Sequence, residues 1–340
     1  MLLEEGTRSL LLDFGFPFKA NKRYYEEYLR PRGGAGLLDP LEMGMLPPLE
    51  GIYRRDLATP GMWKSFQSHP LYRKLEGMGG VLLSHAHIDH SGYISFLKED
   101  IPIFSPAVTA FIAKAHQDCG KAGFDQQVCY FSSLAYECPS GWKQPACIGT
   151  KIKKQRRFCL PDMDMQGLVP EAVKYWKDGF WQKTKNQTEL ICSPLAGHSS
   201  CILRLICFPV DHSIPGACAL GIETAASWII YSGDLRLHSK RSHLTLNFIE
   251  QAARLKPRAL IIEGTNLRDE SSFEIDNVSE QQVYENASEA IAAAEGLVIA
   301  DFSPRDIDRL LTFLQIANQT GRKLAILPKD AYLLKTLRLL

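Results

Sequence analysis

The chain has 340 residues and a formal net charge of +1, with 45% hydrophobic and 23% charged residues. At a prior of about 150 residues per domain this allows two domains with ample core, and the near-neutral balance excludes a uniformly basic coat while permitting a local basic face. Apolar runs such as Leu10–Leu12, Val81–Leu83 and Ala259–Ile262 fall far short of the ~18 residues a bilayer span needs, and Glu4 and Glu5 stand where a secretory leader has its basic start. A soluble, cytoplasmic protein is expected.

The first predicted element is a buried strand over Arg8–Phe14, where Leu10, Leu11 and Leu12 run into Asp13 and Gly15. A stretch rich in glycine and proline follows. Gly79–Ser84 reads as a short apolar strand with a helix behind it over Ser91–Glu99, then a strand over Ile101–Phe104 and a helix over Ala107–His116. Between about residues 120 and 190 the periodicity weakens, apart from a helix over Pro170–Gln182. Strands are predicted again at Ile202–Val210, Ala217–Ile222 and Trp228–Ser232, followed by a helix over Leu244–Leu255 and a strand over Ala259–Ile262. Beyond a polar loop come a helix over Ser279–Glu295, a strand over Leu297–Ala300, a helix over Arg305–Gln319 and a strand over Lys323–Leu327. This last part is β-α-β alternation and implies parallel pairing. The chain stops inside the apolar helical stretch Ala331–Leu340, which is expected to need covering, as in a truncated sequence.

Nine cysteines include no C-x-x-C pair, so neither a zinc ribbon nor a disulfide framework is expected, and the thiols read as reduced and mostly buried. The densest chemical signal is Ser84-His85-Ala86-His87-Ile88-Asp89-His90-Ser91-Gly92, placed where a strand ends and a helix begins. Alternate residues of an extended segment point the same way, so His85 and His87 can grip one ion, while Asp89 and His90 turn off with the helix and can hold a second. Imidazole and carboxylate suit Zn2+, with Mn2+ or Fe as further options. A run of surface histidines is the competing reading. Two cations need further ligands, for which His212 and Asp234, each directly after an apolar strand, are the candidates. Taken alone, His212 reads equally as a loop histidine and Asp234 as a turn residue.

This set resembles the metallo-β-lactamase superfamily, with Asp13 in its first motif, His85, His87, Asp89 and His90 in its second, His212 in its third and Asp234 in its fourth. The wording PVDHSIPGA followed by YSGDLRLH is similar to the ribonuclease J branch and its β-CASP relatives. In that group an acidic residue ends the next strand, which LIIEGTN matches with Glu263, and the segment from Leu297 resembles the opening of an inserted β-CASP domain. The resemblance covers most of 1–118 and 202–340. Segment 119–201 has no counterpart, and the family's later histidines would lie beyond residue 340.

The resemblance implies an α/β fold of αβ/βα sandwich type, with a catalytic domain over 1–278, an unplaced insertion at 119–201, and the beginning of a β-CASP-like domain over 279–340. It implies two Zn2+, one held by His85, His87 and His212, the other by Asp89 and His90, with Asp234 bridging. Asp13 would support the ligands, Asp89 and Glu263 are the catalytic candidates, and Glu263 would orient a general-acid histidine. The implied reaction is phosphodiester hydrolysis of RNA by water activated between the ions. Two alternatives stay open, a hydrolase of a small thioester or phosphoester and a non-enzymatic interaction protein. A basic run containing Lys143, Lys151, Lys153, Lys154, Arg156 and Arg157 is a candidate nucleic-acid strip, or else solvated loop charge. RNA is the expected partner, self-association is open, and no membrane is expected. His116 reads as a half-buried helix residue, His198 as a loop residue, and His238 as a substrate contact rather than a ligand; His243 carries no assignment.

Overall fold

The computed structural model describes residues 1–6, 8–25, 29, 32, 35–120, 127–137, 146–180, 189–200, 204–264, 278–303 and 305–340. These divide into two compact units, the first spanning Met1–Cys201 and the second Ile202–Arg338. The second unit includes residues on both sides of the expected boundary at 278. Within that unit, Glu280 and Asp308 form ion pairs with Arg236, in the loop after the strand Trp228–Tyr231.

The first unit runs β1 (Leu2–Glu5), β2 (Arg8–Leu12), α1 (Phe18–Tyr24), α2 (Leu38–Glu42), β3 (Leu49–Glu50), α3 (Trp63–Phe66), β4 (Arg73–Lys74), β5 (Gly80–Leu82), α4 (Ile88–Ser91), β6 (Ile103–Phe104), α5 (Ala107–Cys119), β7 (Tyr130–Glu137), β8 (Ala146–Gln155), β9 (Phe158–Cys159), α6 (Pro170–Asp178) and β10 (Glu189–Ile191). Its main sheet has the order β1-β2-β5-β6-β9, parallel from β2 to β9, with β1 antiparallel at the edge. Parallel strands are covered on both faces, and Val81, Leu82 and Leu83 are all fully buried.

Part of the segment expected to be an unplaced insertion contributes β9 to this sheet, and β7, β8 and β10 form a sheet of their own. The helix predicted over Ser91–Glu99 begins earlier, at Ile88, and passes into a buried 3-10 turn over Gly92–Phe96. A Cβ on Gly92 would lie 2.8 Å from Ile88 Cγ1, so this residue belongs to a tight turn. Helix α6 ends at Asp178 rather than Gln182 because Gly179 adopts φ 68° and ψ −166°, an extended positive-φ conformation open to glycine.

The second unit runs β11 (Leu205–Pro209), β12 (Cys218–Glu223), β13 (Trp228–Tyr231), α7 (Ser242–Arg254), β14 (Ala259–Ile261), α8 (Glu280–Ala293), α9 (Ile307–Gln319) and α10 (Pro328–Leu337). Its sheet is β11-β12-β13-β14, antiparallel except for the parallel pair β13–β14. Ser279 caps α8 through a reciprocal bond with Gln282, and the Asp306 side chain caps α9.

Two predicted strands, 297–300 and 323–327, do not form; Leu297 and Ile299 are 90% and 84% exposed. Alternating apolar residues give β propensity, but a strand exists through its pairing, and neither segment pairs with a strand among the described residues. The apolar stretch at 331–340 is partly covered: α10 buries Tyr332, Leu333 and Thr336. Cys129, Cys159 and Cys218 are buried free thiols, Cys119 and Cys207 half-buried, and Cys192 exposed. No helix of the described residues is long and apolar enough to cross a membrane.

Candidate metal centre

The pairing of β2 with β5 sets Leu12 beside Leu82, so the two chains leave the sheet side by side at its carboxyl edge, where α/β sheets place their ligands. Asp13 and Ser84 meet there. The Ser84 amide donates to Asp13 Oδ1 at 2.7 Å, and the Ser84 hydroxyl donates to Asp13 Oδ2 at 2.7 Å. Asp13 is 7% exposed and holds a φ of 52°. A left-handed aspartate is a local cost that its surroundings must fix in place. The next residues run against α4: Phe14 and Phe16 amides donate to the His90 and Ile88 carbonyls at 2.8 and 2.9 Å. Gly15 permits this approach, since a Cβ there would stand 1.5 Å from the Asp89 carbonyl oxygen.

The histidine tautomers follow from these partners. Ser84 Oγ spends its proton on Asp13, so at 2.9 Å it accepts from His85 Nδ1, leaving His85 Nε2 as the basic nitrogen. Likewise His90 Nδ1 donates to Asp13 Oδ2 at 2.6 Å, and His90 Nε2 turns toward Asp89, whose Oδ2 is 3.9 Å away. His85 Nε2 lies 3.1 Å from His87 Nδ1, so the alternation expected of an extended segment does bring both rings to one place. The His85 ring also approaches His90, with centroids 4.0 Å apart. His85 therefore adjoins both neighbours rather than serving His87 alone. Imidazoles whose far nitrogen is tied to a carboxylate or hydroxyl are oriented as metal ligands are.

In the second unit, His212 follows β11 and Asp234 follows β13. Gly233, with a φ of 56°, makes the left-handed turn between Ser232 and Asp234. His212 Nε2 and Asp234 Oδ2 are 3.8 Å apart and both residues are half-buried. Glu263 Oε1 accepts the Leu235 amide at 2.8 Å, so this carboxylate fixes the backbone just after Asp234. The candidate metal-holding side chains among the described residues are thus His85, His87 and His90 in the first unit and His212 and Asp234 in the second. Asp89, with its side chain 45% exposed, does not group with them.

The basic run does not form one exposed strip. Lys143 lies outside the described residues, and Lys151 sits on β8. Lys153 places its ammonium 5.1 Å from the Tyr130 ring centroid, and Lys154 pairs with Glu99 at 2.9 Å. Arg156 corrects the expectation: it is fully buried, donating to the Ser95, Leu97 and Lys98 carbonyls at 3.0, 2.8 and 2.9 Å. Burial and then the neighbouring Arg54 push its guanidinium down to about 9. Both guanidiniums lie over the Phe131 ring. Arg157 is exposed, and the Lys154 side chain is 41% exposed.

His116 is half-buried on α5, His198 bonds to the Pro161 carbonyl at 2.9 Å, and His238 and His243 are exposed. Sequence reasoning missed Ser84 and Gly15. Their signal was position, one opening the histidine motif and the other two residues after Asp13.

No family model matches the chain, and no curated protein matches it. Among solved structures, a protein of unknown function from Enterococcus faecalis V583 is similar at 18% identity with a TM-score of 0.56. The similarity covers 98% of this chain and 63% of that one, so the chain spans less than two thirds of its neighbour's length. It is a likeness of fold within the α/β class.

Proposed function

We propose that this chain is a metal-dependent hydrolase of metallo-β-lactamase type, acting on RNA phosphodiester bonds, with His85, His87, His90, His212 and Asp234 as ligands of two Zn2+ and Asp89, exposed beside His90, joining them only if its side chain turns inward. The observation that carries the reading is the buried Asp13–Ser84 pair, which fixes the tautomers of His85 and His90. A histidine run on a loop without a metal role has no need of that arrangement. The donor set of imidazoles with one or two carboxylates suits Zn2+, and Mn2+ or Fe remain chemically compatible. Bound there, such cations supply Lewis acidity and lower the pKa of water.

The chain's own residues do the positioning. Asp13 keeps the His90 Nδ1 proton in place, Ser84 keeps that of His85, and Glu263 restrains the backbone after Asp234. RNA as substrate rests on the wording of the sequence around and after His212. Hydrolysis of a small phosphoester is the second reading, favoured by the burial of Arg156 and the pairing of Lys154, which remove two cations from the basic run.

The test is metal analysis of the purified chain and of His87→Ala, with assays on an RNA oligonucleotide and on bis(p-nitrophenyl) phosphate. Two ions per wild-type chain, loss of metal and of cleavage in His87→Ala, and unchanged far-UV circular dichroism are expected. Cleavage of the small ester alone selects the second reading. A wild-type chain that takes up no zinc, or a His87→Ala protein with full metal content, overturns the assignment.

A further inference from the structure

Asp211 is a fully buried carboxylate next to His212. Buried charge needs compensation, and Asp211 receives it from the Ser239 hydroxyl at 2.6 Å and from Arg236 Nε at 3.1 Å. The Arg236 amide also donates to the Asp211 carbonyl at 2.8 Å. Since Arg236 follows Asp234 by two residues and Asp211 precedes His212 by one, these bonds form a two-point clasp between the loops that carry the ligand pair.

The clasp does not stand alone. The side chain of Arg236 is 9% exposed, and its remaining nitrogens face α8 and α9: one donates to Asp308 Oδ2 at 3.0 Å, the other lies 3.7 Å from Glu280 Oε1. Arg241 donates to the same Asp308 oxygen at 2.5 Å and to the His212 carbonyl at 3.1 Å. Arg309 holds Glu280 at 3.0 Å. Three guanidiniums, Arg236, Arg241 and Arg309, thus meet three carboxylates, Asp211, Asp308 and Glu280.

Resting on the metal reading above, we infer that Asp308 is a positioning residue for the His212–Asp234 ligand pair. Its single oxygen holds two guanidiniums, one anchored to Asp211 and the other to the His212 backbone. Without that charge, Arg236 and Arg241 repel one another, and either the clasp or the His212 contact must give way. The helices after residue 278 thereby set how well the second group of ligands takes up metal.

The experiment is zinc titration of the full 340-residue chain against a chelating dye, comparing wild type, Asp308→Asn, Asp308→Glu and Arg241→Gln. Amide exchange is followed in parallel on the metal-free proteins. Asp308→Asn should weaken zinc binding about tenfold or more, within the range of such supporting partners, with circular dichroism unchanged. Exchange at Asp211 and Arg236 should quicken by a similar factor. Asp308→Glu, which keeps the charge, should recover part of both effects. If Asp308→Asn does not fold, Arg241→Gln, which keeps the Arg236 contacts, should show a smaller loss of the same kind. Unchanged exchange and affinity in Asp308→Asn overturn the inference while leaving the metal reading intact. Absence of zinc uptake by the wild type overturns the metal reading, and the exchange measurement then judges the clasp by itself.

Discussion

The two groups of candidate ligands are held by different physics. His85 and His90 are fixed by short hydrogen bonds that converge on one buried carboxylate, Asp13, within a few residues of two neighbouring strand ends. His212 and Asp234 are fixed by a chain of ion pairs that runs through Arg236 to Glu280 and Asp308, 44 and 72 residues further along the chain. The first arrangement is local in space, mostly buried, and fixed by register and a single glycine. The second depends on charges that are partly open to solvent and on helices distant in sequence. A ligand group of the first kind is written compactly in a sequence, whereas one of the second kind is scattered through it.

The largest effect expected breaks the first group at its tightest contact. A Cβ on Gly15 would sit 1.5 Å from the Asp89 carbonyl oxygen, which is backbone and has no flexible end to move. Gly15→Ala must therefore push the segment 13–16 away from α4 and break the Phe14 and Phe16 amide bonds to it. A loss of about 4 kcal/mol or more is expected in urea denaturation, among the largest single-residue effects. Gly77→Ala is the matched control, because a Cβ there meets nothing within 4 Å. Equal midpoints for the two variants would show that the close approach of α4 does not matter to the first unit.

The same contrast explains what the sequence revealed and what it withheld. The run Val81–Leu83 followed by Ser84-His85 announced a buried strand with a ligand loop at its end, and the structure has that strand. The helix start was legible to within three residues, because the histidine spacing marks the turn and His87 is the N-cap. The bond of Asp13 to His90 was not readable from spacing, since it depends on the register of β2 against β5. Arg156 was misread because a basic run gives no sign of which member turns inward onto carbonyls. Leu297–Ala300 and Lys323–Leu327 have the composition of strands, but hydrogen-bond partners decide strand formation and composition does not supply them. The ion pairs of Arg236 join residues 211, 280 and 308, a combination no local pattern announces.

Asp13→Asn sharpens the comparison at intermediate cost. Asparagine keeps the volume and tolerates a φ of 52°, so backbone strain is not the variable. What changes is that one of the two oxygens becomes an NH2, which cannot accept, so either the Ser84 amide on Oδ1 or the Ser84 hydroxyl and His90 Nδ1 on Oδ2 lose their acceptor. At least one buried donor is left unmatched at a cost of about 2 kcal/mol, and the His85 or His90 tautomer loosens with it. Stability measured by urea should fall by that amount, and zinc affinity should drop about 10- to 100-fold. An Asp13→Asn protein with wild-type zinc affinity would mean that the tautomers are set by something other than this carboxylate.

The smallest effect expected separates the two groups without any substitution. At 1 M salt the screening length falls to about 3 Å, against about 10 Å at 0.1 M. The bonds that converge on Asp13, whose side chain is 8% exposed, are largely shielded from mobile ions. Asp308 and Arg241 are 29% and 31% exposed in their side chains, so their pairing is open to screening. Ion pairs of that exposure contribute about 0.2–1 kcal/mol. Raising salt on the metal-free chain should therefore quicken amide exchange at Arg236 by roughly two- to fivefold, corresponding to about 0.4–1 kcal/mol, while exchange at Ser84 and His90 stays as it was. Sodium sulfate would confound the measurement by strengthening apolar burial, so sodium chloride is the salt to use. Equal acceleration in both loops would mean that the ion pairs around Asp308 are no more exposed to solvent than the Asp13 hydrogen bonds, and that the two groups of ligands are held by one kind of force.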